Sequence, residues 1–289
     1  MYVVRQKMQY TISNKQLKVT IGGMGAEIVS VIAGGKERIW QNPTGEWAGH
    51  GPVLFPVCGH CGVQVDGVSY PLPAHGFSKK TEYSLLEKGD DFVTLFISSN
   101  EETKKVYPYN FTFYVTYRLC KNTVTVEFKM SNPDEKPLYF ACGGHESFAI
   151  DSDVDGYQIE FEKEEKFLHW CNGEGGYLTG ETQDLGSGKI FALPADFFVG
   201  GTTLVLKDTA SKRIRFMQKD GKPLADITFE GFANLLLWRA DRGRFICIEP
   251  WTNLPDVAGE PEVEFTQKFG VLKVDGNSEK TLVRTITYL

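Results

Sequence analysis

The chain has 289 residues, 42% hydrophobic and 24% charged, a balance that supports a sizeable core without disulfide or metal staples and excludes a disordered chain. Its 31 basic and 37 acidic side chains give a formal charge of −6 with no dense basic cluster, so phosphate-backbone binding lacks its driving force and no nucleic-acid partner is expected. No apolar run reaches membrane-spanning length and Met1 to Tyr10 holds no signal-peptide core, which gives the expectation of a cytosolic protein with no membrane partner.

Alternation of apolar and polar residues, the mark of a strand with one buried face, first appears at Leu17 to Ile21. No long stretch has a helical period, and Glu101 to Val106 is expected to form a turn or so of helix before Pro108 stops it. The alternation returns in Phe111, Phe113, Val115, Tyr117 and Leu119, breaks at Lys121-Asn122 and resumes through Val124, Val126, Phe128 and Met130, predicting a β-hairpin. Further strands are predicted at Tyr157 to Phe161, Thr202 to Leu206, Arg213 to Met217, Ala233 to Trp238, Phe245 to Ile248 and Thr281 to Leu289, punctuated by Gly, Pro, Asn and Asp. The mixed-charge run Glu160 to Lys166 reads as a solvated strand end or loop. No repeat, linker or shift of composition divides the chain, so one all-β domain over residues 1–289 is expected.

The six cysteines are sparse for this length and read as reduced, mostly buried thiols. Cys58-Gly59-His60-Cys61 has the spacing of a thiol–disulfide exchange motif, but it follows Leu54-Phe55-Pro56 and precedes a strand-like Val63-Gln64-Val65, whereas that chemistry wants the start of a helix. With Cys142 and His145 the same pair would make a four-ligand zinc set by spacing.

Of the five histidines, His50, His60, His75, His145 and His169, two stand among small residues that let a ligand approach the backbone. His75 lies in Pro73-Ala74-His75-Gly76-Phe77 and His145 in Cys142-Gly143-Gly144-His145-Glu146-Ser147-Phe148. Spacing alone fits a structural histidine and a catalytic one equally. Glu249 is the carboxylate that stands out, between the apolar run Phe245 to Ile248 and Pro250-Trp251. Burial there would raise its proton affinity and make it a base, while a strand-end glutamate paired with a lysine or arginine is the alternative.

Four segments, Gly51-Pro52-Val53-Leu54-Phe55-Pro56, His75-Gly76-Phe77, Gly143 to Phe148 and Ile248-Glu249-Pro250-Trp251-Thr252-Asn253-Leu254-Pro255-Asp256, occur in the order found in the galactose mutarotase, or aldose 1-epimerase, superfamily. The sequence resembles that family from about Gly22 to the C-terminus, most closely the branch associated with lactose operons. The resemblance implies a β-supersandwich, mostly antiparallel, with a hexose in a groove across one sheet, and no cofactor or metal. It implies Glu249 as base and His145 and His75 as the two active-site histidines, with Trp251, Phe77 and Lys79 as sugar contacts. Asp196 is the weak match for a binding aspartate. Where members usually carry an arginine, this sequence has His60 and Lys79.

The chemistry fits these side chains without the family. Interconverting α and β anomers requires taking the proton from the anomeric hydroxyl and giving one to the ring oxygen, and one base and one acid suffice. Glu249 would take it and a protonated His145 would give it, with His75 binding the sugar. Three other readings use the same residues: a glycoside hydrolase pairing Glu249 with Asp256 or Glu146, a non-catalytic sugar-binding protein stacking on Trp251, Phe77 and Phe148, and a hexose-6-phosphate 1-epimerase. For the last, Lys79 and Lys80 on a strand would point to opposite faces, leaving one for the groove unless Arg118, Arg239 or Arg242 joined it. Oligomeric state is not legible in the sequence.

Overall fold

The computed structural model describes residues 8–289, so the expectation about Met1 to Tyr10 lies mostly outside the described residues. The chain is a β-sandwich, as predicted, built on a 15-stranded, antiparallel sheet beside a four-stranded sheet at the N-terminal end. Among the described residues the α-helix is one turn, Glu101–Lys104, capped by Asn100, within the segment expected to form about a turn of helix. No described helix is long and apolar enough to cross a membrane.

The predicted hairpin forms from Thr112–Cys120 and Thr123–Asn132, with Lys121 at a φ of 52° in the turn. Its register pairs Val115 with Phe128, Tyr117 with Val126 and Leu119 with Val124, so every inward side chain of one strand lies beside one of the other. The strands predicted near Tyr157, Leu204, Arg213, Asn234, Phe245 and Thr281 all form. Glu160 to Lys166 departs from the expectation: it runs through the middle of the 16-residue strand Tyr157–Asn172. That strand pairs with Leu178–Ala192, an edge strand solvated over most of its length, which allows charge inside a ladder, and its buried Glu165 accepts the N–H groups of Ala210 and Ser211.

The sheet order that matters for the site is Val53–Leu54, Gly143–Gly144, Phe245–Trp251, Asn234–Trp238, Leu204–Leu206 and Tyr157–Asn172. The first five of these strands are mostly buried on both faces, and alternation sorts their residues into two environments. Ile246, Ile248, Leu235, Leu237, Leu204 and Leu206 enter the main core, where Phe148 meets Tyr288 across the sandwich. Leu54, Leu236, Val205 and Trp251 form a smaller cluster on the other face. The cavity opens on that second face.

Candidate active site

A cavity of about 680 Å³ lies on this face, and its floor takes Leu54, Glu249, Leu236 and Val205 from successive strands. Register brings them together: Glu249 stands opposite Leu236, and Leu236 opposite Val205. Its walls include His75, His145, Trp47, Trp238, Lys79, His60 and Glu27.

Glu249 and His145 are cross-strand neighbours. Gly143 pairs with Trp251 and Glu146 with Ile248, a register that sets His145 opposite Glu249 on the cavity face, Nε2 3.1 Å from Oε1. The other carboxylate oxygen accepts the indole N–H of Trp251 at 3.2 Å. Glu249 is 2% exposed, and this burial raises its pKa to about 8, the Trp251 hydrogen bond and the Lys79 charge opposing the rise. Burial acts the other way on His145, whose imidazole is pushed well down and is neutral in the free site. Trp47 lies against the His145 ring at 5.1 Å and Trp238 meets it edge-on at 5.7 Å.

His75 and Gly76 both take positive φ, 63° and 69°, and Gly76 has no alternative, since a Cβ there would overlap the Phe55 carbonyl. The unusual conformation of His75 is held by two bonds to Gly59: its N–H donates to the Gly59 carbonyl and its Nδ1 accepts the Gly59 N–H, at 2.8 and 3.0 Å. Burial holds the ring neutral. With Nδ1 an acceptor, the proton is on Nε2, so His75 offers the cavity a fixed donor. Its ring stacks on Trp251 at 5.4 Å.

The segment after Glu249 ties these parts together. The Thr252 N–H donates to the Cys142 carbonyl and its hydroxyl oxygen accepts the Cys142 N–H, the Asn253 side chain accepts the Cys58 N–H, and Asp256 accepts the Gly62 N–H and pairs with Lys268 at 2.6 Å. The strand end that carries the carboxylate is thereby bonded to the loop that carries His75.

Several sequence-predicted contacts lie elsewhere. Trp251 is 0% exposed and forms no cavity surface; it supports Glu249 and His75 from behind. Phe77 turns into the core beside Phe55 and Phe111. Asp196 is exposed on a 3-10 turn, Ala195–Gly201, outside the lining residues. Lys79 and Lys80 also differ from a strand reading: Ser78–Lys80 is a 3-10 turn, and both lysines border the cavity. Arg239 is buried against Asp153 at 2.6 Å, Arg118 covers Phe92, and none of the described arginines lines the cavity. Trp47, Trp238 and Glu27 are wall residues that sequence reasoning missed, since their partners come from distant segments.

The rival sets are not assembled. Cys58 and Cys61 are buried and protonated, the Cys58 thiol pushed well up by burial and Cys61 to about 12. Cys58, Cys61, Cys142 and His145 do not converge; the one group of ligand atoms within 4.8 Å among the described residues is His145, Cys247 and Glu249. Glu146 and Asp256 are both engaged away from the cavity, which leaves Glu27, held by the N–H groups of His50 and Gly51, as the other lining carboxylate.

The aldose 1-epimerase family model matches residues 8–194. LacX of Lactococcus lactis subsp. lactis is 27% identical over 271 residues, covering 86% of this chain and 88% of LacX. A putative glucose-6-phosphate 1-epimerase of Escherichia coli K12 is 27% identical over 121 residues, 38% of this chain and 39% of that protein. A galactose mutarotase-like protein from Lactobacillus casei superposes with a TM-score of 0.89 at 26% identity, covering 98% of this chain and all of that one. A galactose mutarotase related enzyme from Lactobacillus acidophilus does so with 0.85 at 25%, covering 98% and 97%. With a family model matching more than half its length, the chain belongs to the aldose 1-epimerase family.

Proposed function

We propose that this protein is a mutarotase that interconverts the α and β anomers of a free hexose, with Glu249 and His145 as the proton-transfer pair and His75 as a donor to the sugar. The observation that carries the reading is the Glu249–His145 pair, buried and 3.1 Å apart on the floor of a sugar-sized cavity. Between them the two groups hold one proton and one free lone pair, which is what ring opening consumes. Burial leaves the proton on Glu249 in the free site, so the resting state is the reverse of the protonated histidine expected from sequence.

A bound sugar changes the balance, because hydroxyls donating to the carboxylate favour its ionised form and the proton crosses to His145. Glu249 then takes the proton of the anomeric hydroxyl while His145 gives one to the ring oxygen. The bond between the anomeric carbon and the ring oxygen breaks and the anomeric C–O becomes a carbonyl. Rotation of that carbonyl and the reverse transfers close the ring on its other face. The Trp251 N–H steadies the carboxylate throughout. Each positioned transfer contributes roughly 10²–10⁴-fold.

NMR exchange between the anomers of free hexoses tests the reading, and exchange no faster than the spontaneous rate with every hexose would sink it. Sugar binding without exchange would instead make the protein a binding module. A second reading has a specific observation behind it: Lys79 and Lys80 together border the cavity and offer two cations to a sugar 6-phosphate. A higher kcat/KM for the phosphate than for the neutral hexose, fading with salt and with Lys79→Ala plus Lys80→Ala, would favour it.

A further inference from the structure

His145 occupies a gap in the strand ladder. Gly143 pairs with Trp251 and Glu146 with Ile248, but the pairing lapses between them, where Pro250 stands opposite Gly144 and has no N–H to give. The imidazole that meets Glu249 is therefore carried on backbone that this ladder does not hold.

A buried ion pair lies behind that gap. Glu146, next to His145 and turned to the opposite face by alternation, is 0% exposed and accepts from both Nη atoms of Arg284. Arg284 is 1% exposed and belongs to Ser278–Tyr288, a strand on the far side of the core. The same guanidinium lies against Gly144, where a Cβ would overlap it. Arg284 thus touches the residue on either side of His145.

We propose that Arg284 and Glu146 are positioning residues for the proton transfer: their buried fork clamps both neighbours of His145 and holds its imidazole at hydrogen-bond distance from Glu249. The inference rests on the mutarotase reading above. Stability alone gives little reason for such a pair, because apolar residues of similar volume fill a core as well or better. What a guanidinium–carboxylate fork adds is orientation, through two parallel bonds in one plane. Its carboxylate also acts through the sheet on Glu249, whose proton affinity it raises. The other titratable groups around Glu249 are His145, Lys79, Cys58 and Cys247, of which Lys79 opposes that rise.

The test uses two variants. Glu146→Met combined with Arg284→Met removes both charges and leaves neither unpaired. Arg284→Lys keeps the charge and loses the fork. Hexose anomer exchange is followed across pH, and the imidazole nitrogens of His145 are followed by NMR. The double variant is expected to lose about tenfold or more in kcat with KM changed by less than about threefold. Its Glu249 limb should move to lower pH, the imidazole signals should shift, and Arg284→Lys should fall between it and the wild type. A folded double variant with wild-type kcat and imidazole signals overturns the proposal. So does a loss of kcat that follows thermal stability while the pH limb and imidazole signals stay in place. If the double variant does not fold, unchanged kcat and signals in Arg284→Lys overturn it. A wild type that exchanges no hexose sinks the functional reading instead, and the imidazole signals still decide the positioning.

Discussion

Glu249 and Glu146 are carboxylates on neighbouring strands, 2% and 0% exposed, with opposite surroundings. Glu146 faces the core and meets the guanidinium of Arg284, a permanent cation whose two Nη groups hold it in one geometry. Glu249 faces the cavity and meets an indole N–H and a neutral imidazole, partners that leave its charge adjustable. Burial is common to both, so burial alone does not mark a proton-transfer group. The partner does: a carboxylate paired with neutral groups can exchange a proton near neutral pH, whereas one locked to arginine serves geometry.

The widest separation between the two should appear in turnover. Glu249→Gln keeps the shape and the link to His145 but removes the proposed base, and anomer exchange is expected to fall by at least ~10²-fold, as it should for His145→Ala. NMR exchange rates on folded protein check this. Near-normal turnover by Glu249→Gln would remove the distinction between the carboxylates.

A smaller effect should come from the partner of Glu249. Trp251→Phe deletes the N–H that steadies the ionised carboxylate, a bond to a charged group worth ~1.5–3 kcal/mol, so kcat near neutral pH should fall by roughly tenfold or more. The Glu249 limb of the kcat/KM profile, which reports the free enzyme, should move upward, because the indole hydrogen bond lowers that pKa. An unmoved limb would mean that Trp251 only packs.

Stability should respond with a sign set by linkage. The folded-state pKa of Glu249 is raised from 4.5 to about 8, so its contribution is full below about pH 4.5 and is lost as pH rises through 8. Glu249→Gln does not titrate. Relative to the wild type, its melting temperature should therefore rise between pH 4.5 and 9, by at least about 2 °C if the linkage is worth ~1 kcal/mol. Thermal melts across that window measure it, and a constant difference would show that Glu249 titrates as an ordinary glutamate.

The sequence made part of this legible for physical reasons. Alternation fixed the hairpin at Lys121-Asn122 because each strand has one wet and one dry face. Glu249, His145 and His75 stood out because each lies in a local pattern, an apolar run or a small-residue turn, that can be read in one stretch. Direction was harder to read. Trp251 shares a face with Glu249 but is covered by His75, and Phe77 follows a turn whose positive φ values send its ring into the core. Glu160 to Lys166 was misread because its partner Leu178–Ala192 is an edge strand solvated over most of its length, which allows charge within the ladder. The Glu146–Arg284 pair joins positions 138 residues apart, and no local pattern announces such a contact.

The smallest expected effect concerns the thiols, where burial is again shared and the partner again decides. Cys58 and Cys61 have the spacing of a reactive pair, but no cation or helix start stabilises a thiolate on Cys58, and at Cys61 the Lys268 ammonium is outweighed by burial and Asp256. Both should stay protonated and closed to thiol reagents at pH 8 in the folded protein. Cys120 is the exposed cysteine and Cys171 is half-buried, so labelling should find Cys120 first, Cys171 more slowly, and the remaining four only on unfolding. Cys120→Ser should abolish the fast phase without altering hexose exchange, because the residue ends the strand Thr112–Cys120 and lies outside the cavity. Fast modification of Cys58 or Cys61 in that variant, with mass spectrometry assigning the site, would show that the Cys58–Cys61 loop opens to solvent, and with it the anchor that Gly59 provides for His75.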